Sequence, residues 1–316
     1  MQILIKHERN MSNIRASFYD PAKLNNSVPE YFRQTKKFKG LNSNIEYLFN
    51  DISAEWQIIG TWVNDVSKIS DKKIIYLQQE PPECKLPSIN LLNKVKCVIT
   101  PFHLNHTVKQ YINITPLPWT YDLNILNCRK KGHTISLANN LDLSALKKRK
   151  APKKDKLCSF IVSTKSFLPG QKKRVDFAKK IMNHFDKKID YYGFGFNPIE
   201  NKKDAIDPYI FSIAIENSNY NNYWTEKIAD VFLGYTCPIY YGCSNINNYF
   251  DKSSYMEIDI NNLDFSISKI EYALNNTSFF QERNIALSRS KVLEEYNFFN
   301  IISDTINKEA NEFPSI

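Results

Sequence analysis

The sequence lacks the features that mark membrane-spanning and secreted proteins. No apolar run approaches the length of about 20 residues that a bilayer-spanning helix needs. The first residues, MQILIKHERNMSN, carry charges inside their short apolar run, unlike a secretory signal peptide. We therefore expect a cytoplasmic protein.

Metal-binding motifs are also missing. The six cysteines include no CxxC pair, and the five histidines form no HExxH motif. His103 and His106 stand three residues apart, but we interpret them as solvated loop residues. Most of the cysteines lie in apolar stretches and are expected to be reduced core residues. The sequence thus predicts neither a zinc site nor a disulfide framework.

Acidic residues are fewer than basic ones, and the formal net charge is +9. Much of the excess lies in KKRKAPKKDK, residues 147–156. This run is either a solvated linker or a contact with an anionic partner, for example a peripheral contact with the inner face of a membrane. Because the basic residues cluster in one linker without interleaved aromatic side chains, nucleic acid is not an expected partner.

Apolar segments of strand length alternate with polar or helix-like segments, which predicts parallel sheets with helical crossovers. Predicted strands cover 1–7, 54–62, 72–79, 95–101, 157–163, 189–193, 209–217 and 237–242. Predicted helices cover 174–185, a stretch that Thr225 caps, and segments from 262 onward. The segment 116–123 contains two prolines and is expected to be irregular.

The strand pattern restarts after the basic run, which predicts two α/β domains. We expect Rossmann-like domains at 1–146 and 157–316, joined by the basic linker 147–156. Two such domains facing one another form a cleft at the carboxyl ends of their strands, where nucleotides bind.

A cluster of polar residues separates one predicted strand from the next predicted helix. Its members are Glu216, Asn217, Tyr223, Glu226 and Lys227. A helix N-terminus and a lysine suit phosphate oxygens, and a carboxylate can accept hydrogen bonds from ribose hydroxyls. The amide and the phenol could add further bonds to a nucleotide sugar. The alternative interpretation is an ordinary helix cap with a favourable glutamate and a solvated lysine.

The segment IENSNYNNYWTEKIADVFLGYTCPIYYG, residues 215–242, resembles the donor-binding motif of the α-1,3-fucosyltransferases, glycosyltransferase family 10. The match is long and ungapped, and the resemblance is good over 157–260 and loose over 70–122. The matching positions are Glu216, Asn217, Ser218, Tyr223, Thr225, Glu226, Lys227, Asp230, Pro238 and Gly242.

Weaker resemblance continues upstream of this motif. Arg174, followed three residues later by Phe177, is similar to the family's diphosphate-binding arginine, and we predict it in the first turn of its helix. IDYYGFG (189–195) is also similar to a family segment. Its Gly193 and Gly195 are predicted to let the backbone approach a ligand. Thr164 stands where the family has asparagine, so that asparagine's role is not transferred.

The resemblance implies a fold of the GT-B type and a reaction. The implied reaction is inverting transfer of L-fucose from GDP-β-L-fucose to a hydroxyl of a glycan or glycolipid acceptor, such as lipopolysaccharide. Glu80 is the predicted catalytic base, with Glu83 as the alternative. Because no Asp-x-Asp motif occurs, basic groups are expected to stabilise the diphosphate, and a divalent cation would be non-essential.

Two further alternatives stay open at this point. The chain could use another deoxysugar nucleotide, since the named residues chiefly describe diphosphate and ribose recognition. It could also be a nucleotide-sugar binding protein that has lost catalysis.

Overall fold

The structure is a computed structural model that describes residues 14–22, 30–35, 41–123, 141–279 and 282–311. The strand predicted at 1–7 lies outside the described residues, as does Cys128. The described strands form two sheets, one from each part of the chain.

The first sheet follows the order β2-β3-β1-β4-β5-β6-β7. All of its pairings are parallel except β2 with β3. Its strands are β1 (Ile14–Phe18), β2 (Leu41–Asn42), β3 (Ile45–Phe49), β4 (Trp56–Gly60), β5 (Lys73–Leu77), β6 (Cys97–Thr100) and β7 (Lys109–Ile112). The central strands are almost continuously buried, as expected for a parallel sheet covered on both faces.

The second sheet follows the order β12-β11-β10-β8-β9, and all of its pairings are parallel. Its strands are β8 (Lys156–Ile161), β9 (Asp190–Tyr192), β10 (Tyr209–Ile215), β11 (Cys237–Tyr241) and β12 (Met256–Glu257).

Seven helices are described, and the last three of them come after the final strand of the second sheet in chain order. They are α1 (Ile89–Leu92), α2 (Leu143–Lys148), α3 (Pro169–Phe185), α4 (Glu226–Leu233), α5 (Leu263–Asn275), α6 (Glu282–Leu293) and α7 (Phe298–Asn311). Single 3₁₀ turns occur at Glu30–Gln34, Ser67–Ile69, Asp186–Lys188, Lys202–Ala205, Ile246–Asn248, Lys252–Ser254 and Thr277–Phe279. Within the described ranges, no helix has both the length and the apolar character to cross a membrane.

The predicted strands at 54–62, 72–79 and 95–101 are confirmed as β4, β5 and β6. The predicted strands of the second part are confirmed as β8 to β11, and Thr225 is confirmed as the N-cap of α4. Sequence analysis missed β1 to β3, β7 and β12. These strands are short, lie partly exposed or carry charged residues, so they show no continuous apolar run.

One predicted boundary is wrong. The helix predicted from residue 174 begins five residues earlier, at Pro169. Proline is favoured at the first helical position, where its missing N–H would have no partner. Arg174 therefore lies in the second turn of α3, not in the first.

The last helix returns to the first sheet. Phe299 of α7 packs edge-to-face on Tyr47 of β3, with ring centroids 4.8 Å apart. At the other end of α7, the buried Glu309 lies 2.8 Å from the ammonium of Lys109 and accepts a 2.6 Å hydrogen bond from Tyr111. These contacts tie the carboxyl-terminal end of the chain to the amino-terminal sheet.

The basic run 147–156 is not only a solvated linker. Its Arg149 pairs with Asp207 and donates to the hydroxyl of Tyr121. The ammonium of Lys154 donates to the carbonyls of Asp207 and Gly234, at 2.8 and 2.7 Å. Arg149 and Lys154 therefore fix the segment of the chain that leads from the first sheet to the second.

Each sheet has a position where the strand order reverses. In the second sheet the chain moves from β8 to β9 on one side and then to β10 on the other. In the first sheet it moves from β1 to β3 on one side and then to β4 on the other. Ligands of open parallel sheets bind outside the carboxyl ends of the strands at such switch points. The topology therefore marks two places where a ligand could bind.

Candidate active site

The cluster between β10 and α4 forms one connected hydrogen-bond network. Glu216 follows β10 and is 1% exposed. Its carboxylate accepts hydrogen bonds from the backbone N–H of Thr225 at 2.9 Å and from the Thr225 hydroxyl at 2.8 Å. The ammonium of Lys227 lies 3.2 Å from Glu216 and 3.3 Å from Glu226. Glu216 thus holds the cap of α4 and the lysine that follows it.

The charges of this network are strongly coupled. Burial disfavours the charged ammonium of Lys227, but the carboxylates of Glu216 and Glu226 outweigh burial and raise its pKa. Burial raises the pKa of Glu216, and Lys227 opposes this change. For Glu226, burial is outweighed by Lys227 and Lys202, which lower its pKa to about 2. The site therefore presents a charged lysine and a charged Glu226 at neutral pH.

Arg174 reaches the same site from α3. Its guanidinium donates to the side-chain oxygen of Asn217 and to the hydroxyl of Ser163, the latter at 3.5 Å. Arg174 is 7% exposed, and its Nε has no hydrogen-bond partner among the residues that the structure describes. Burial lowers the pKa of the guanidinium. A buried cation with an unused donor is suited to binding an anion.

A glycine brings α3 close to this network. A Cβ on Gly170 would lie 1.8 Å from the carbonyl oxygen of Asn217. Any larger residue would therefore push the start of α3, and with it Arg174, away from the end of β10.

These groups surround a cleft of about 250 Å³ at the switch point of the second sheet. The cleft is lined by Thr120, Ile161, Val162, Ser163, Arg174, Gly193, Phe194, Pro198, Ile199, Lys202, Ile215, Glu226 and Lys227. Four of the sequence-predicted donor-binding residues, Arg174, Gly193, Glu226 and Lys227, thus meet at one cleft.

Gly193 allows a protein contact as well as lining the cleft. Its φ of +119° is in the region that favours glycine, and a Cβ there would lie 2.1 Å from the carbonyl oxygen of Val162. The close approach that the structure shows at Gly193 is therefore to the end of β8. This contact sets the shape of the cleft wall.

The other predicted residues lie behind or beside the cleft. Asn217 contacts the cleft through Arg174. Tyr223 is 1% exposed, and burial together with the nearby Glu216 and Glu80 raises the pKa of its phenol. Ser218 is buried and donates to the carboxylate of Glu83.

The two candidate bases, Glu80 and Glu83, follow β5 in the first sheet and have different surroundings. Burial raises the pKa of Glu80, and Lys227 of the second domain opposes this change. Glu83 instead accepts hydrogen bonds from Ser218 and from the Tyr220 hydroxyl, the latter at 3.1 Å. Glu80 is therefore a partly buried carboxylate with a raised pKa, whereas Glu83 makes polar contacts between the two domains.

The loop that carries both glutamates has a buried support. The side-chain amide of Gln78 donates to the carbonyl of Glu80 at 2.6 Å and to that of Lys85 at 2.8 Å. These two bonds close the loop and hold Glu80 at the end of β5.

Sequence analysis missed two polar residues of the cleft, Thr120 and Lys202. The ammonium of Lys202 lies 2.6 Å from Asp230 and 3.3 Å from the Thr120 hydroxyl. Nothing in the sequence distinguishes Lys202 from its neighbour Lys203. Asp230 is one of the positions that match the family motif, and its contacts connect α4 with the segment around Thr120.

Among the described residues, no group of three or more histidine, cysteine, aspartate or glutamate side chains could hold a metal ion. The cations that line the cleft are the side chains of Arg174, Lys202 and Lys227.

Residues 151–277 match the family model described as glycosyltransferase family 10 (fucosyltransferase) C-term. The chain is 34% identical over 79 residues to the alpha-(1,3)-fucosyltransferase FucT of Helicobacter pylori. That alignment covers 25% of this chain and spans only 16% of the relative's length.

Solved structures share the two-domain arrangement. A crystal structure of an alpha1,3-fucosyltransferase aligns with a TM-score of 0.50 at 18% identity, covering 89% of this chain and 90% of the other. A structure of an alpha1,3-fucosyltransferase with GDP-fucose gives 0.50 at 17% identity, covering 93% and 94%. An alpha-glucosyltransferase in complex with UDP and DNA gives 0.52 at 11% identity, covering 93% and 99%. The predicted fold class, two Rossmann-like domains of the GT-B type, is confirmed.

Proposed function

Because residues 151–277 match the family model described as glycosyltransferase family 10 (fucosyltransferase) C-term, we propose that this protein is an inverting transferase of L-fucose. The donor would be GDP-β-L-fucose, and the acceptor would be a hydroxyl of a glycan or glycolipid. In this proposal residues 157–316 bind the donor and residues 1–146 bind the acceptor. The observation that carries the proposal is the cleft in which Arg174, Lys202 and Lys227 meet beside Glu226.

The proposed reaction is a single displacement at the anomeric carbon. The Glu80 carboxylate takes the proton of the acceptor hydroxyl while the acceptor oxygen bonds to the anomeric carbon. On the opposite side of that carbon, the bond to the diphosphate oxygen breaks, and GDP leaves with the bonding electrons. Attack and departure on opposite sides invert the configuration.

The departing diphosphate would be stabilised by the cations of the cleft. Arg174 has an unused donor at its buried Nε, and Lys227 is kept protonated by two carboxylates. Glu226, ionised at neutral pH, could accept hydrogen bonds from the two ribose hydroxyls. In this scheme Glu216 positions Thr225 and Lys227, and Asn217 positions Arg174.

We also propose that the chain works in a reducing compartment such as the cytoplasm. Cys84, Cys158, Cys237 and Cys243 are free thiols, and free thiols persist in reducing surroundings. The membrane contact suggested by the basic run remains a second proposal, and binding to vesicles with and without anionic lipid would test it.

A panel of nucleotide sugars tests the proposed donor. We expect GDP-fucose to raise the unfolding temperature of the purified protein more than GDP-mannose, UDP-glucose or dTDP-rhamnose. Slow hydrolysis of GDP-fucose without an acceptor would then separate a transferase from a catalytically inactive binding protein. Stabilisation by a different nucleotide sugar alone would contradict fucose as the transferred group.

A further inference from the structure

The loop between β10 and α4 contacts the first domain as well as the proposed donor site. The Ser218 hydroxyl donates a hydrogen bond to one carboxylate oxygen of Glu83, and the Tyr220 hydroxyl donates to the other at 3.1 Å. The ring of Tyr220 also packs against Phe102, with ring centroids 5.9 Å apart. We call the set formed by Glu83, Ser218 and Tyr220 the Glu83 contact. It joins the loop to the segment that follows β5.

The second domain fixes the shape of this loop by itself. Asn222 has a φ of +62°, a left-handed conformation that asparagine adopts more readily than most residues. Its side-chain oxygen accepts hydrogen bonds from the Asn245 amide at 2.8 Å and from the Tyr249 hydroxyl at 2.6 Å. Its side-chain nitrogen donates across the domains to the carbonyl of Pro101 at 3.0 Å. The loop therefore meets the first domain in a conformation that its own domain holds.

Both ends of the same loop hold groups of the proposed donor site. At its start, Asn217 accepts a hydrogen bond from the guanidinium of Arg174, and Ser218 is the next residue. At its end, Thr225 caps α4 and donates to the carboxylate of Glu216. The residues that touch the first domain thus belong to the segment that builds the donor site.

The facing loop of the first domain carries the proposed base. Glu83 follows Glu80 by three residues, and the amide of Gln78 bonds to the carbonyls of Glu80 and Lys85 on either side of it. Burial raises the pKa of Glu80 and the charge of Lys227 opposes that rise, so Glu80 lies near the second domain. Because the loop is closed, fixing Glu83 also limits where Glu80 can lie.

The Glu83 contact is suited to positioning rather than to stabilising the fold. Glu83 is exposed, and contacts of exposed carboxylates contribute little to the free energy of unfolding. Burial and the Glu83 carboxylate raise the pKa of the Tyr220 phenol, which therefore stays protonated and donates at neutral pH.

We propose that Ser218 and Tyr220 are positioning residues, which bind Glu83 and so hold Glu80 at the donor site. The inference rests on the proposed function, in which Glu80 is the base. A general base must lie within hydrogen-bond reach of the proton that it removes, and a misplacement of about 1 Å can lower a rate by about 10². The contact therefore affects the catalytic rate and not the affinity for GDP, whose proposed binding groups lie in the second domain.

Substitutions at the contact test this role with water in place of the acceptor. Glu80 then deprotonates the attacking water, and release of GDP from GDP-fucose gives kcat and KM. Glu83→Ala removes both hydrogen bonds and Tyr220→Phe removes one, whereas Glu83→Gln keeps an oxygen and an amide that can bond to both hydroxyls. The control is Tyr272→Phe, at a tyrosine that is 51% exposed on α5.

We expect kcat to fall about tenfold in Glu83→Ala and about three- to fivefold in Tyr220→Phe, with an unchanged Kd for GDP. Glu83→Gln should lose about twofold, and Tyr272→Phe should match the wild type. Glu83→Ala and Tyr220→Phe are then repeated in Glu80→Gln. Because the contact acts through Glu80, neither should lower the residual rate further.

Three results would overturn the proposal. The first is a wild-type kcat in Glu83→Ala. The second is an equal loss with and without Glu80→Gln, which would indicate a general structural effect. The third is an inactive Glu83→Gln, which would make Glu83 itself the base.

A second readout does not depend on the identity of the donor. Cys84 is partly buried beside Glu83, and burial raises the pKa of its thiol to about 11, which slows its alkylation. Iodoacetamide labelling of Cys84 is followed by mass spectrometry. Ser218→Ala combined with Tyr220→Phe leaves the Glu83 charge in place, so faster labelling would report a released loop.

This readout separates the contact from the proposed function. If the wild type hydrolyses no GDP-fucose but Cys84 labels several-fold faster in the combined variant, the donor assignment fails and the contact still holds the loop. Unchanged labelling in that variant would show that the contact does not hold the loop, and the proposal is then wrong.

Discussion

Asp230 of α4 holds Thr120 at two points, accepting hydrogen bonds from its backbone N–H at 2.9 Å and from its hydroxyl at 2.7 Å. Asp230 is fully buried, and it also accepts a hydrogen bond from the backbone N–H of Tyr121 at 2.9 Å and pairs with the ammonium of Lys202 at 2.6 Å. Thr120 and Lys202 both line the cleft of about 250 Å³ that we propose binds the donor. One carboxylate therefore joins the helix that begins at Glu226 to the segment at Thr120 and Tyr121.

Replacing this carboxylate should destabilise the protein. Asp230→Ala leaves the buried Lys202 without its counter-charge, so we expect the free energy of unfolding to fall by about 3–5 kcal/mol. Urea denaturation followed by circular dichroism measures the change. Asp176→Ala, an exposed carboxylate on α3, is the matched control and should change stability by less than about 0.5 kcal/mol. Equal unfolding midpoints for the two variants would contradict the role of Asp230.

Lys227→Ala should weaken nucleotide binding. The loss of a charge-assisted contact to phosphate costs about 1.5–3 kcal/mol, which corresponds to roughly 10- to 100-fold in the Kd for GDP. Transfer should nearly vanish. Titration calorimetry with GDP measures the affinity, and Lys179→Ala, an exposed lysine of α3, is the control. If a folded Lys227→Ala protein binds GDP with wild-type affinity, Lys227 does not take part in nucleotide binding.

The two candidate bases can be separated by amide substitution. Glu80→Gln keeps the shape of the carboxylate but cannot accept the acceptor's proton, so transfer should fall by about 10²–10⁴-fold. GDP binding should be unchanged. Glu83→Gln should lower the rate only a few-fold, because Glu83 contacts Ser218 and Tyr220. If Glu83→Gln is inactive and Glu80→Gln active, Glu83 is the base.

The pH dependence of the transfer rate should reflect the protonation of the Glu80 carboxylate. Burial raises its pKa above the ordinary value of 4.5, and only the deprotonated carboxylate can act as the base. kcat/KM should therefore decrease as the pH falls through this raised pKa, and the acid limb should lie above pH 4.5. Glu83→Gln should keep the same limb. Loss of the limb in Glu83→Gln, or a limb below the ordinary glutamate value, would count against Glu80.

A chelator should leave substantial activity. The proposed donor cleft has three cationic side chains, and the described residues form no cluster of metal-ligand type. We therefore expect similar initial rates in EDTA and in added Mg²⁺ or Mn²⁺. Complete loss in EDTA that is restored by either ion would show that catalysis needs a divalent cation.

Much of the second domain could be predicted from the sequence, because its signals are local. Long apolar runs mark β8, β10 and β11, and Thr225 beside Glu226 marks a helix start. The residues of the 216–227 cluster are close in sequence, so one strand end and one helix start bring them together. The start of α3 was misplaced because Pro169 and Gly170 are typical of loops as well as of first helical turns.

The sequence by itself determined two parallel-sheet domains and the polar cluster between β10 and α4, because these follow from local hydrophobic pattern and helix capping. Only the tertiary structure decided which cations share the cleft, since Arg174, Lys202 and Lys227 come from three separate segments. It also showed that the two candidate bases have different surroundings, because burial raises the pKa of Glu80 whereas Glu83 contacts Ser218 of the second domain. Pairing between distant segments depends on the packing of the whole chain, and no local pattern records it.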